Sequence, residues 1–598
     1  MIDKDTWPNL VTMFFEQAEK RGDEPFLGAK QDGEWVTISW AEAAKKVAQV
    51  AEGLAALGVL PGERVVLVSE NRPEWCIADL GIMAAGAVTV PTYTTNTERD
   101  HLHILEDSHA HAAIVSTAKL AKTFLPAAYQ SDACELVIGI EPLRVGQASG
   151  ADIRQWDDCF DAQPGDVVNI RARAAGVSRD ELACIIYTSG TGGAPRGVRQ
   201  HHGAILCCVA GAYDILASDF ELGIERFLSF LPLSHAYEHS GGQYLPIMAA
   251  AEIFYSEGLE RLASNIEETR PTIMVVVPRL FEVLRTRIIK GIEKQGGAAQ
   301  WMLEQALRLG QKKASRGGKL PITDKPLDLL LERTIRKRVR EKLGGRLKAM
   351  VAGGAPLNPE VGLFFQSLGV TLLQGYGQTE AAPVVSCNRP AAKIKMDTVG
   401  PPLKGVEVKI AEDGEILVAG ELVMHGYWNN PHETAKALQD GWLLTGDIGH
   451  IDEDGHIVIT DRKKDLIVND KGDNIAPQRV EGMLTLQPEI LQAMVTGDRR
   501  PYVVGLVVPD PEWAAEWARE HGAENDLKLL KDNPEFTRAV MGAVDRVNRT
   551  LATVEKVRRV VIADAAFTVE NEQMTPSMKI RRHVIRGAYG ERLDALYR

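Results

Sequence analysis

Residues 187–198 read YTSGTGGAPRGV and concentrate the groups best suited to hold a polyphosphate. Three hydroxyls (Thr188, Ser189, Thr191), four glycines (Gly190, Gly192, Gly193, Gly197) and the cation Arg196 fall within this one segment. Glycines let backbone N–H groups approach an anion closely, hydroxyls add donors, and a guanidinium adds charge. The segment has no GK[ST], so it is not the loop of a P-loop kinase. Pro195 stands where GxGxxG would need its third glycine, which removes a Rossmann dinucleotide fingerprint. Taken alone, a flexible surface loop is the plain alternative.

A phosphate loop needs a rigid strand behind it, and the apolar run 184–187 supplies one. Comparable β-rich runs at 64–69, 113–116, 136–140, 227–230 and 273–277 alternate with helical stretches. Continuous apolar strands predict sheets buried on both faces, and the alternation predicts an α/β fold. One helix is predicted between Ser39, which can cap it, and Gly58, which can end it; Val47, Val50, Leu54 and Leu57 form its apolar stripe. Beyond about Tyr427 the texture changes. DIGHIDEDGHIVITD at 447–461 predicts a hairpin turning at Asp454-Gly455, and charged DRKKD follows. A domain boundary is therefore expected at Asp461. It divides a large N-terminal domain of stacked α/β sheet layers (1–460) from a small α+β C-terminal domain (461–598). In the latter, Asp510-Pro511 and Asn533-Pro534 start helices whose Trp513, Trp517, Phe536, Val540, Val544 and Val547 are expected in the core.

Bulk properties bound the function. The 598 residues exceed one ordinary core, and 45% apolar with 25% charged residues is ordinary for a globular protein. A net charge of −13 argues against general nucleic-acid binding. Seven cysteines without a CxxC pair argue against a disulfide framework or a zinc site and fit a reducing compartment. Asp3, Lys4 and Asp5 do not open a signal peptide, and the longest apolar run, 80–91, falls short of a membrane span. The expected location is cytoplasmic. Residues 308–348 are rich in Lys and Arg. The plain reading is a solvated helix face; the sharper one is a peripheral docking surface at the inner face of a membrane. Oligomeric state leaves no signal.

The glycine-rich loop resembles YTSGTTGxPKG, the signature of the adenylate-forming superfamily of acyl-CoA ligases, luciferases and peptide-synthetase adenylation domains. Gly192 stands where that pattern has Thr, and Arg196 where it has Lys, keeping charge but presenting a planar fork. Further matches follow in the family's order. LPLSH at 231–235, continuing AYEHSGGQYLP, resembles the junction of acyl and thiol channels in the long-chain fatty-acyl subgroup. It implies that His235 lies near the substrate carboxylate, with Gly241 and Gly242 leaving room for an acyl tunnel; a hydrogen-bonded structural histidine is the alternative. AGGAPL at 352–357 and QGYGQTE at 374–380 imply that Gly353, Gly354, Ala355, Gly375, Tyr376 and Gly377 line the adenine and carboxyl region. The same resemblance implies Thr379 on the α-phosphate and Glu380, with Thr191, on Mg²⁺, a hard cation that takes oxygen ligands. GWLLTGD at 441–447 implies Asp447 as ribose ligand, and a turn-capping aspartate is its bland reading. Arg462 is implied at ribose or phosphate. Asp461 matches the family's hinge, about which the C-terminal domain moves, and Gly472 and Asn474 in KGDNIAP match its CoA channel. TPSMKIRR at 575–582 resembles the long-chain subgroup's TPTLK, making Lys579 the catalytic lysine; in isolation it reads as a solvated side chain. NRPEW, VPRLFE and HGYWNNP also resemble long-chain ligases, whereas Ala419 departs from GEIxxRG.

The resemblance spans about Trp7 to Arg582. It implies an ATP- and Mg²⁺-dependent acid–thiol ligase that makes acyl-AMP and then acyl-CoA from CoA and a carboxylic acid, with a long-chain fatty acid expected. Alternatives are loading of a carrier protein and a non-catalytic nucleotide- or acyl-binding relative. A phosphoryl-transferring kinase lacks its loop.

Overall fold

The computed structural model describes residues 2–143, 150–188, 195–316, 318–575 and 580–598. Two large sheets form the N-terminal part. The first has seven strands in the order Asp152–Gln155, Leu136–Gly139, Ala112–Val115, Arg64–Val68, Val88–Thr92, Leu182–Thr188, Arg196–His201. All neighbours in it are parallel except the last pair, a hairpin. The second has eight strands, with Ile273–Val276, Ala349–Ala352 and Leu372–Gly377 adjacent and parallel. Their central strands are buried on both faces, as their uninterrupted Val, Ile and Ala content demands.

The predicted helix runs Trp40–Ala56. The Ser39 side chain accepts from the Glu42 N–H, and Val47, Val50 and Leu54 are buried. Trp40 stacks on Phe26 with ring centroids 3.7 Å apart. The apolar stretch 80–91 is divided between the helix Pro73–Ala84 and the strand Val88–Thr92. No helix among the described residues is long and apolar enough to cross a membrane.

A third, antiparallel sheet follows. Its strand Trp442–Ile451 pairs with Ile457–Arg462, bringing Asp447 opposite Arg462 and Ile448 opposite Asp461. Position 461 therefore lies inside a strand, one residue before that strand ends. The C-terminal part has a three-stranded sheet (Ile490–Thr496, Val503–Pro509, Val557–Ile562) covered by helices. Helices Pro511–Glu520 and Pro534–Asn548 start where Asp510 and Asn533 cap them, and Trp517, Phe536, Val540, Val544 and Val547 are buried. Trp513 is only half-buried, its ring 5.3 Å from Phe536.

The basic stretch departs from a plain solvated face. Arg336 is buried, with its Nε donating to the Ser367 carbonyl at 2.8 Å and Nη1 2.8 Å from Asp328. Arg340 meets Glu332 at 2.5 Å, Lys342 meets Glu267 at 3.0 Å, and Lys312 meets Asp324 at 2.5 Å. Much of the stretch is thus tied down locally, while Lys313, Arg316, Lys319, Arg333 and Arg338 remain exposed.

Candidate active site

The strand Leu182–Thr188 and the strand Arg196–His201 pair so that Thr188 faces Arg196. The two ends of the glycine-rich segment are thereby held side by side. Ser189, Gly190 and Thr191 themselves lie outside the described residues, as does Lys579. The stem is fixed from elsewhere in the chain. The Pro195 carbonyl is 2.9 Å from His103 Nε2, and the Tyr187 hydroxyl donates to Asp107 at 2.6 Å. Gln200 donates to the Thr379 carbonyl at 2.7 Å, tying this hairpin to the QGYGQTE segment.

Two bonded groups of side chains result. In the first, Arg196 donates from Nη1 to Glu433 at 2.8 Å, and its guanidinium lies 4.4 Å from the centre of the Tyr427 ring. The Tyr427 hydroxyl in turn donates to Glu380 Oε1 at 2.7 Å. Burial and the Glu380 carboxylate together push the Tyr427 hydroxyl far above its ordinary range, so it stays a donor. In the second, the buried Asp447 accepts from the Tyr376 hydroxyl at 2.6 Å and from Arg462 Nε at 3.1 Å. Sheet pairing explains the latter contact, because Asp447 and Arg462 are register partners. A turn-capping role does not account for Asp447. Glu380 and Thr379 sit in the short turn Thr379–Ala381 directly after the strand carrying Gly375, Tyr376 and Gly377. Gly377 has no room for a side chain, since a Cβ there would lie 1.7 Å from the Pro383 carbonyl oxygen.

A neighbouring region is built around residues 231–245. Asn71 donates to the Leu231 carbonyl at 2.6 Å and to Ser229 at 3.0 Å, and accepts from the Leu233 N–H. It thus sets the backbone of LPLSH. His235 is half-buried, and its Nδ1 accepts from the Tyr237 N–H at 3.1 Å, so part of the imidazole serves as a helix cap. Beneath it the buried Asp79 accepts from His239, Gln243 and Tyr244 at 2.7–2.8 Å, locking the segment to the core. The Tyr237 hydroxyl donates to the Val351 carbonyl, and its ring packs where a Cβ on Gly353 would lie, at 2.7 Å. Gly354 follows with φ of +81°, and Ala355 is exposed. A narrow apolar cavity of about 50 Å³ lies here, lined by Tyr237, Gly241, Val275, Val351, Leu373 and Cys387 among others. Gly241 lines this space. At Gly242 the corresponding space is instead taken by the Glu238 carboxyl, 2.3 Å from a notional Cβ. Glu238 is wholly buried and accepts from Ser229 at 2.6 Å; burial pushes its carboxyl up to about 8.

Asp461 is buried, accepts from the Arg462 N–H at 2.5 Å, and is pushed up to about 7 by that burial. Gly472 and Asn474 lie on an exposed two-stranded hairpin, where Asn474 pairs with Val468 and Gly472 takes φ of +86°. Neither takes part in the bonded groups just described. The carboxylate oxygens of Glu380 suit a hard cation, and Arg196 and Arg462 suit phosphate oxygens. A separate trio, Asp180, His201 and His425, has its ligand atoms within 4.8 Å of one another. The two imidazoles are stacked at 3.9 Å and 9°, however, and parallel faces direct their in-plane lone pairs away from a shared ion.

Four positioning residues were not assigned from sequence: Asn71, His103, Tyr427 and Glu433. Asn71 and Tyr427 fall inside NRPEW and HGYWNNP, so the motifs were visible although the contacts were not. His103 and Glu433 left no local signal.

Known proteins resemble this chain along its whole length. Residues 14–428 match the family described as AMP-binding enzyme, and 464–598 match the AMP-binding enzyme C-terminal domain. The long-chain-fatty-acid–CoA ligase FadD15 of Mycobacterium tuberculosis is 32% identical over 593 residues, covering 98% of this chain and 97% of that one. Long chain acyl-CoA synthetase 1 of Arabidopsis thaliana is 27% identical, covering 98% and 92%. In fold, the anthranilate CoA ligase AuaEII solved with anthranoyl-AMP superposes with a TM-score of 0.71 at 20% identity, covering 98% and 99%. A fatty acyl CoA synthetase of Mycobacterium tuberculosis gives 0.62 at 20% identity, covering 98% and 99%. Matched in both its large and its C-terminal part, the chain belongs to the AMP-binding enzyme family.

Proposed function

We propose that this protein is an ATP-dependent acid–thiol ligase that converts a long-chain fatty acid to its acyl-CoA through an acyl-adenylate. The observation that carries the reading is the convergence of Arg196, Glu380, Asp447 and Arg462, from four separate segments, around Tyr427 and Tyr376. In this reading a carboxylate oxygen attacks the α-phosphorus of ATP and the bond to pyrophosphate breaks. The CoA thiolate then attacks the acyl carbon and AMP leaves. Fixed charges that need no rearrangement lower such barriers most. Asp447 accepts from the ribose hydroxyls, Arg462 and Arg196 meet phosphate oxygens, and Tyr376 offers its ring to adenine. Glu380, with Thr191, would hold Mg²⁺, which would supply charge neutralisation on the phosphates. Lys579 reaches the α-phosphate from the C-terminal part, which pivots at Asp461. Gly472 and Asn474 then line the thiol path.

The acyl chain would enter at the apolar cavity beside Tyr237 and Gly241, which must widen beyond its volume of about 50 Å³ to take a long chain. The relative's name, long-chain-fatty-acid–CoA ligase, supports the substrate class. AMP release is to be measured with acids from acetate to stearate, and with CoA against a holo-carrier protein as acceptor. Turnover rising with chain length and requiring free CoA is the expected result. A preference for short or aromatic acids overturns the substrate, and acylation of the carrier alone overturns the acceptor.

We also propose contact with an anionic membrane surface through 301–338. Trp301, Ile322, Leu329 and Leu330 are exposed there beside the exposed cations Lys313, Arg316, Lys319, Arg333 and Arg338. Apolar side chains flanked by cations suit the interface of an acidic bilayer. Flotation with phosphatidylglycerol vesicles tests it: binding is expected, with loss on Arg316→Glu/Lys319→Glu. No binding by the native protein ends the proposal.

A further inference from the structure

The ion pair at the foot of the glycine-rich loop has a consequence for nucleotide affinity. Arg196 stands at the point where the loop rejoins the sheet, and its guanidinium is already engaged by a carboxylate, Glu433 Oε2, at 2.8 Å. Glu433 comes from the short helix Pro431–Ala437, far along the chain, and it is anchored independently of the arginine. Its N–H is accepted by the Asn430 side chain at 3.1 Å, and its other carboxylate oxygen takes a bond from Lys436 at 2.7 Å. Lys436, with Arg196 and His432 as lesser contributors, holds the Glu433 carboxyl below its ordinary range, so it is an anion at neutral pH. Tyr427 lies under the guanidinium and donates to Glu380, so the arginine is poised on the ring that also orients the proposed Mg²⁺ ligand.

We propose that Glu433 is a built-in anion that competes with polyphosphate for Arg196 and thereby weakens the hold on ATP and on pyrophosphate. The inference rests on the reading that Arg196 meets nucleotide phosphates. An arriving triphosphate must draw Nη1 away from Glu433 or share it. Because Lys436 and Asn430 retain Glu433, the carboxylate stays close as a like charge facing the phosphates. The planar fork of arginine, unlike a compact ammonium, can keep one edge on the carboxylate while another turns to a phosphate oxygen. The pair is partly solvated, about 29% exposed on each side, so its effect is modest and sensitive to salt.

The test uses the full chain with Arg196→Ala, Glu433→Gln, Glu433→Asp and the double variant Arg196→Ala/Glu433→Gln. KM for MgATP and the inhibition constant of pyrophosphate are measured at low and high salt, with melting temperature as a folding control. Glu433→Gln is expected to lower both constants about two- to fivefold at low salt and less at high salt. Glu433→Asp, which keeps the charge but withdraws it, should fall between. In the Arg196→Ala background, Glu433→Gln should change neither constant. A well-folded Glu433→Gln or Glu433→Asp variant whose constants rise or stay at wild-type values overturns the proposal and makes Glu433 a support or a bystander. If Arg196→Ala alone leaves KM for MgATP unchanged, the phosphate role of Arg196 falls, and the competition falls with it. Carboxylate-dependent pyrophosphate exchange by that variant would still leave the adenylation reading standing.

Discussion

The proposed nucleotide half of the site and the proposed acyl half are made of opposite materials. Around Tyr376 and Tyr427, seven side chains drawn from positions 196 to 462 are joined by short hydrogen bonds and ion pairs. Around Gly241, the cavity wall is apolar, and its shape follows from packing of the helix His202–Asp219 and the segment 237–245 against the strands that carry Val275, Val351, Leu373 and Cys387. A polar constellation is fixed by partners, so a single deletion leaves a buried group unmatched. An apolar wall is fixed by volume, so a single substitution rescales it. The first half should therefore govern whether the reaction occurs, and the second which acid is used.

Four substitutions break or sharpen that contrast. Asp447→Ala removes the acceptor shared by Tyr376 and Arg462 and should lower kcat/KM for ATP by about 10²- to 10³-fold in a pyrophosphate-exchange assay. An effect below tenfold would mean that Asp447 does not organise the nucleotide half. Val351→Phe fills the cavity and should shift preference toward shorter acids by about 10- to 100-fold, read as the ratio of kcat/KM for octanoate and palmitate. An unchanged ratio would place the acyl chain elsewhere. Tyr427→Phe deletes one hydrogen bond to a carboxylate and should weaken the Mg²⁺ and ATP dependence about tenfold. Equal activity at limiting Mg²⁺ would mean that the Tyr427 hydroxyl does not orient Glu380 for the metal.

The smallest effect concerns Asp461. Burial raises its carboxyl to about 7 in the folded chain, against about 4 when unfolded. The folded state thus favours the protonated form. Below about pH 4 the group carries no penalty; the penalty grows as pH rises toward 7 and is complete above it. Asp461→Asn should raise Tm by about 2–4 °C at pH 8 and leave it unchanged near pH 4, by differential scanning calorimetry. A uniform shift at both pH values would point to packing instead.

The alternating apolar runs and their caps were legible because they are local. Strands at 64–68, 112–115, 136–139 and 273–276 start or end within a residue of the predicted runs, and Ser39 caps its helix as expected. The order of the motifs was legible too, since each is short and carries its own chemistry. What joins them was not. Arg196 meets Glu433 across 237 positions, and His103 meets Pro195 across 92, so neither pair leaves a periodic trace. Gly242 read as spare room because the sequence does not show that Glu238 turns back onto it. The hairpin expected over 447–461 is present and its second strand runs one residue further, to Arg462, into the charged DRKKD.

The most direct measurement is carboxylate-dependent exchange of labelled pyrophosphate into ATP, without CoA, in the wild-type chain and in Lys579→Ala. Palmitate-dependent exchange is predicted for the wild type, and its loss in Lys579→Ala while that variant still converts supplied palmitoyl-AMP and CoA to palmitoyl-CoA. Absence of exchange in the wild type, or release of ADP in place of AMP, would contradict adenylation at this site.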